Sequence, residues 1–246
     1  MSNGLSYSGY CNNCKKEHSL PSEKAIEVCG LLMQKFAAYE HIDYLNEQTD
    51  PRLSTHHLYG NVGGKMFGVL ICKDASGKEV VLKAFSSTYN GIWNVEGWVP
   101  HLASEKDFMQ IVEKGNSEIH PLTDRIKTLE KNSDGWKLKT EQRKIVSQKT
   151  LNELFDLYEV FNFKKDKRTL KNAFNLKKGI PNGTGDCCAP KLLNYAALNN
   201  LTPISIAEFY WGKPSPSGDK VEGNFYSSCT NKCQPLLGFM LCGIEK

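Results

Sequence analysis

The 246-residue chain lacks any apolar run near the ~18 residues a membrane-spanning helix needs, so we expect no membrane partner. Its first residues, Met1-Ser-Asn-Gly-Leu-Ser-Tyr7, are polar and lack a basic stretch followed by an apolar one. We therefore expect no secretory signal and a cytoplasmic location. There is little charge of one sign. Thirty-one basic against 27 acidic residues leave +4, too mild an excess to imply a nucleic-acid partner. No internal repeat and no low-complexity segment is present, which excludes solenoids and arrays. Hydrophobic residues at 40% and charged residues at 24% are ordinary for a globular protein and exclude fibrous, collagen-like and disordered classes. A chain of this length buries roughly 70% of the surface its unfolded form exposes, so it needs no disulfides to fold.

Cysteine, by contrast, is plentiful. The nine are Cys11, Cys14, Cys29, Cys72, Cys187, Cys188, Cys229, Cys233 and Cys242. An odd number without an export signal argues against a disulfide framework. Cys29, Cys72 and Cys242 lie in apolar runs and read as small buried hydrophobes. Cys11-Asn-Asn-Cys14 is a CxxC with His18 nearby, a weak metal signal whose bland alternative is surface thiols. Cys187-Cys188 opens an apparent helix. Cys229 and Cys233, four residues apart, share a face if helical and can grip one ion.

The pattern along the chain is mixed. A helix is expected after Pro21, capped by Ser22, with Ala25, Val28, Cys29, Leu32 and Phe36 on its apolar face. Residues 65–72 and 79–85 are β-rich runs around a Gly-bearing turn and predict a hairpin. Residues 86–100, rich in Gly, Trp and polar groups, read as a long ordered loop that either builds a binding surface or covers the sheet. Residues 107–178 read as a charged helical insertion, with helices over about 119–129 and 141–160. Residues 187–197 predict a helix that tolerates Pro190 in its first turn. Residues 204–211 predict a strand, and 235–241 an apolar helix. We expect one domain over 1–246, built from 22–100, the insertion, and a Cys-bearing third part over 180–246.

One segment concentrates charge. Lys164, Lys165, Lys167, Arg168, Lys171, Lys177 and Lys178 face a lone acid, Asp166, with Phe161, Phe163 and Phe174 interleaved. Lysines neutralise phosphates and exposed aromatics stack on bases, which makes the run a candidate RNA contact. The competing reading is a solvated face whose phenylalanines point into the core.

Helix, two hairpin strands, helix, strand and helix is also the opening order of the zinc nucleobase-deaminase fold, which this layout resembles. The expected fold class is therefore α/β, a three-layer deaminase-like sheet with a hairpin and a helical insertion. The resemblance implies Cys187, Cys229 and Cys233 as ligands of a zinc ion at two helix starts, leaving a fourth position for water. The sequence departs from the deaminase pattern twice. The Glu expected two residues after the first ligand is Ala189, and the second pair is spaced Cys-x3-Cys. Asp186 and Glu208 are the nearest carboxylates for acid/base work, although an Asp before a helix is more often an N-cap.

Longer motifs carry a second resemblance. Gly64-Lys-Met-Phe-Gly-Val-Leu70, Lys83-Ala-Phe-Ser86, Gly97-Trp-Val-Pro100, Gly185-Asp-Cys-Cys-Ala-Pro-Lys-Leu-Leu193, Ala207-Glu-Phe-Tyr-Trp-Gly212 and Phe225-Tyr226 with Cys229 and Lys232-Cys-Gln-Pro-Leu-Leu237 resemble the long N-terminal region fused to some bacterial pseudouridine synthases. The match runs in order from about Ala25 to Leu241. No His-Arg-Leu-Asp synthase motif occurs in the chain. The resemblance therefore implies an RNA-associated accessory module without synthase activity, with RNA or a separate pseudouridine synthase as partner. Residues 86–97 depart from the family, which has small and His-rich residues there.

Three readings follow. The first is that RNA-associated module, contacting its partner through Lys164, Lys165, Lys167 and Arg168. The second is a zinc-dependent, deaminase-like hydrolase of a nucleobase or related small molecule, with Asp186 or Glu208 moving the proton and Lys191 and Trp211 lining the substrate. The third is an interaction scaffold in which Glu208 pairs with Lys191 and Trp211 packs in the core.

Overall fold

The structure is a computed structural model that describes residues 5–175 and 179–244. It opens with a small antiparallel hairpin, β1 (Tyr7–Cys11) and β2 (Lys16–Leu20), followed by helix α1 (Glu23–Tyr39). The hairpin was not legible in the sequence. Its strands have five residues each and carry no sustained apolar alternation. Helix α1 forms as expected and buries Ala25, Cys29, Leu32 and Phe36 along one stripe. Ser22 precedes it but does not cap it: its Oγ donates instead to the carbonyl of Leu5 at 2.6 Å.

The central sheet has three strands, ordered β4-β3-β7, with both pairings antiparallel. They are β3 (Lys65–Lys73), β4 (Glu79–Phe85) and β7 (Thr202–Trp211). The β3–β4 turn is held by Asp74, whose Oδ1 accepts from Ser76 N and Lys78 N, while Gly77 supplies the positive φ of 84°. Alternation along β3 sorts its side chains. Phe67, Val69 and Ile71 pack with α1, Ala207 and Phe209 in one apolar layer. Leu70 and Cys72 pack with Ile206 in the other, against α5 (Cys188–Leu198) and α6 (Gln234–Met240). The result is mixed α/β with helices on both faces of the sheet.

The sheet stops at β7 because the chain itself closes that edge. Ile206 N donates to Pro21 O, Glu208 N to Tyr7 Oη, and Tyr210 N to Asn224 O. Edge amides satisfied in this way leave no template for a further strand.

The insertion is two long helices, α2 (Glu105–Lys127) and α3 (Asp134–Leu157), capped by Ser104 and Ser133. They approach closely at Gly115, where an added Cβ would lie 2.5 Å from Thr150 Oγ1. The expectation of a helical pattern continuing past Tyr158 is corrected over the described residues. After α3 the chain turns extended at Tyr158 and forms a hairpin, β5 (Glu159–Phe161) with β6 (Lys167–Thr169), then a single turn α4 (Leu170–Ala173). Asn162 builds its turn, accepting from Lys164 N and Asp166 N, and Lys165 takes φ 70°. Lys177 and Lys178 lie outside the described residues. Residues 86–100 form an ordered loop. Trp98 and Tyr89 cover the α1 side of the sheet, donating to Ile42 O and Ser54 O, so most of its aromatic surface is core.

Candidate metal and catalytic site

Alternation along β7 turns Glu208 away from α1 and under the first turn of α5. Its Oε1 accepts the amide of Ala189 at 2.6 Å. Cys187 occupies the N-cap position of α5 but makes no side-chain cap bond. The buried carboxylate from the neighbouring strand therefore satisfies one of the amides that a helix start leaves open. The approach needs Gly68, paired with Glu208 across the sheet: an added Cβ there would lie 2.7 Å from Cys188 Cβ. Burial pushes the Glu208 carboxyl up to about 7, against the pull of the Ala189 amide.

Beside this carboxylate sit the three predicted ligand thiols. Cys187, Cys229 and Cys233 are close enough to influence one another's titration, and Cys233 N donates to Cys229 Sγ at 3.4 Å. Its two neighbours and backbone amides hold Cys229 well below the usual thiol range, while Cys233 is pushed up. Cys229 is exposed, Cys187 partly so, and Cys233 buried. The expectation that Cys229 and Cys233 share a helix face is corrected. Cys229 precedes α6 in a turn whose carbonyl accepts from both Cys233 N and Gln234 N. The extra residue of the Cys-x3-Cys spacing is taken up by that turn.

Asp186 is not a helix cap. Its Oδ1 accepts the hydroxyl of Tyr158 at 2.8 Å, and its backbone carbonyl accepts Ser87 N. Burial raises its carboxyl, opposed by the Tyr158 hydroxyl and by Lys191 and Lys232. It opens onto a cavity of about 420 Å³ lined also by Trp93, His101, Phe108, Met109 and Tyr158. His101, driven down to about 4 by burial, is neutral there and contacts Ser87 O at 2.8 Å.

Other predicted residues fall elsewhere. Lys191 does not pair with Glu208: its ammonium donates to Phe85 O at 2.8 Å and Ser87 O at 3.4 Å and lies over the Phe85 ring. At 1% exposure it ties α5 to the end of β4. Trp211 lies on the α1 face beside Phe36, with the sheet between it and Cys187. The basic segment is largely spoken for. Lys167 pairs with Glu159 at 2.6 Å, Lys171 with Asp156 at 3.7 Å, and Lys165 reaches Ala197 O and Asn200. Arg168 donates to Asn13 and covers the Phe239 ring, and Phe163 and Phe174 pack on the core.

A second cluster was only partly visible in the sequence. Among the described residues, one group of three or more Cys, His, Asp or Glu side chains has every donor atom within 4.8 Å of the others. It is Cys11, Cys14, His18 and Cys242, and it could hold a metal ion. Cys242, read in the sequence as a buried hydrophobe, is its fourth member. The CxxC and the histidine were a weak signal, and nothing in their spacing pointed across 228 residues to Cys242. The Cys187, Cys229 and Cys233 group is more open than this limit.

No family model, curated protein or solved structure matches the chain. Among the described residues no helix is long and apolar enough to cross a membrane.

Proposed function

We propose that the chain is a metal-dependent hydrolase of deaminase-like layout, acting on a nucleobase or a similar amidine- or amide-like group. One observation carries this reading. The carboxylate missing from the position of Ala189 is supplied from the next strand, with Glu208 Oε1 2.6 Å from the Ala189 amide. Three thiols, one of them strongly favoured as thiolate, stand beside it, a donor set of the right chemistry for zinc whose sulfurs would have to draw together around the ion. Such an ion, when bound, acidifies a water to a pKa of ~7. Glu208, whose own pKa is raised to about 7, both accepts and releases a proton near neutrality. Asp186 accepts the Tyr158 hydroxyl at the edge of a neighbouring cavity, whose wall of His101, Trp93 and Phe108 suits a flat ring; of the proposed proton carriers and metal ligands, only Asp186 lines it.

The test is ammonia release from cytidine, adenosine and short single-stranded RNAs by the full chain. Wild type should act on at least one of these, and Glu208→Gln should abolish turnover while leaving the fold intact. Bound zinc unaffected by Cys187→Ser and Cys229→Ser would refute the assignment.

A second reading, the RNA-associated accessory module, is supported by the placement of Lys164, Lys165, Lys167 and Arg168 on the β5–β6 hairpin and its turn. On that reading RNA affinity falls steeply with salt, and glutamate at all four positions removes it. Binding indifferent to both changes would eliminate it.

A further inference from the structure

We infer that Cys11, Cys14, His18 and Cys242 form a closed, structural zinc site that clasps the N-terminal hairpin to the turn after α6. This site is separate from the thiol triad of α5 and α6 and does not depend on catalysis there.

The separation of the two sulfurs Cys14 Sγ and Cys242 Sγ matches a tetrahedral edge. Cys242 Sγ lies 3.7 Å from Cys14 Sγ, and a tetrahedron of Zn–S bonds of about 2.3 Å has edges of about 3.8 Å. Cys14 Sγ lies 2.9 Å from His18 Nε2, and all four donors stay within 4.8 Å. Three sulfurs and one imidazole nitrogen with no place left for water is a zinc structural set rather than a catalytic one.

The backbone around the site is shaped for a metal thiolate. The backbone amides of Asn13 and Cys14 lie against Cys11 Sγ. Lys15 closes the turn at φ 58°, donating its amide to Cys11 O. The loop is bolted down from outside: Arg168 donates to Asn13, and Asn12 donates to Asn175.

A second, independent feature brings the fourth ligand in. β1 and α6 touch backbone to backbone through a pair of glycines. A Cβ on Gly9 would lie 2.3 Å from Gly238 N, and one on Gly238 would lie 2.1 Å from Tyr10 O. No side chain fits at either position. Gly9 stands two residues before Cys11 and Gly238 four before Cys242, so the close approach sets their sulfurs side by side. A two-stranded hairpin of this size is marginal in water by itself, and the clasp anchors it.

The clasp also reaches the candidate site. Tyr7, on the same hairpin, accepts Glu208 N at 2.6 Å and donates to Tyr226 O at 2.6 Å. Losing the ion loosens the segment that holds Glu208 in place.

The experiment is metal analysis of the full chain, wild type and variants, with cobalt substitution as a second readout. A Cys187→Ser/Cys229→Ser/Cys233→Ser chain should retain one zinc per molecule, and its cobalt form should show the intense visible bands of a tetrahedral thiolate site. Cys242→Ser should lose that one equivalent, and Cys242→His should restore it. In hydrogen exchange, chelation should deprotect 7–20 before the central sheet. A triad variant that purifies without zinc and takes up no cobalt as tetrahedral thiolate overturns the clasp. So does a Cys242→Ser chain with undiminished metal. Absence of turnover with the clasp zinc present would fall on the proposed hydrolase alone.

Discussion

Replacing Gly68 by alanine tests the packing on which the candidate site depends. The new Cβ would sit 2.7 Å from Cys188 Cβ, about 0.7 Å inside ordinary contact, with Leu192 Cδ1 at 3.2 Å and Glu208 Cγ at 3.3 Å. Both Cβ atoms are fixed to regular backbone, one in the central strand and one in the first turn of α5, so neither can rotate away. Overpacking of this kind costs typically 1–3 kcal/mol, and the rigid partners place it near 3 kcal/mol. Relief comes from Cys188→Gly, which by itself costs about 1 kcal/mol for glycine in a helix plus the lost buried thiol. The assay is urea unfolding of wild type, both single variants and the double variant, all in reducing buffer. The double variant should be more stable than the sum of the single effects by at least about 1.5 kcal/mol, within the range of side chains in contact. Gly68→Ala should also push α5 off the sheet, lengthen the Ala189–Glu208 bond and weaken metal retention at Cys187. Single effects that add to within about 0.5 kcal/mol would refute the reasoning.

Three further outcomes follow from buried polar groups. Glu208 has a folded pKa of about 7, above its ordinary 4.5, so its contribution is fully present below about pH 4.5 and is lost as pH rises through 7. Glu208→Gln keeps an acceptor for Ala189 N, and in metal-free protein it should remove that decline, gaining up to about 3 kcal/mol over wild type at pH 8. A Gln variant less stable than wild type at pH 8 contradicts this. Lys191, held down to about 8, imposes its cost below pH 8, relieved as pH rises towards 10.5. Wild type should therefore gain about 3 kcal/mol relative to Lys191→Met across that interval, read as the difference between two urea-midpoint pH profiles. A flat difference disproves it. Tyr7→Phe strips Glu208 N and Tyr226 O of their partner and should cost about 2–4 kcal/mol by thermal or urea unfolding. A loss below about 1 kcal/mol would mean that those groups find water.

Much of the architecture was legible because short-range patterns carried it. The stripe Ala25, Cys29, Leu32, Phe36 has helical period, the runs of β3 and β4 flank a turn built on Asp74 and Gly77, and α5 tolerates Pro190 in its first turn. By itself the sequence determined these elements and the helix start at Cys187. Tertiary structure alone decided three things. It set Glu208 beneath Ala189, because strand register chooses the face and no local pattern reports what lies above it. It joined Cys242 to a CxxC hairpin at the other end of the chain, through a glycine contact that local periodicity does not encode. And it moved Lys191 from a supposed ion pair to the carbonyls of Phe85 and Ser87, since a buried ammonium takes whichever acceptors the packed backbone leaves open.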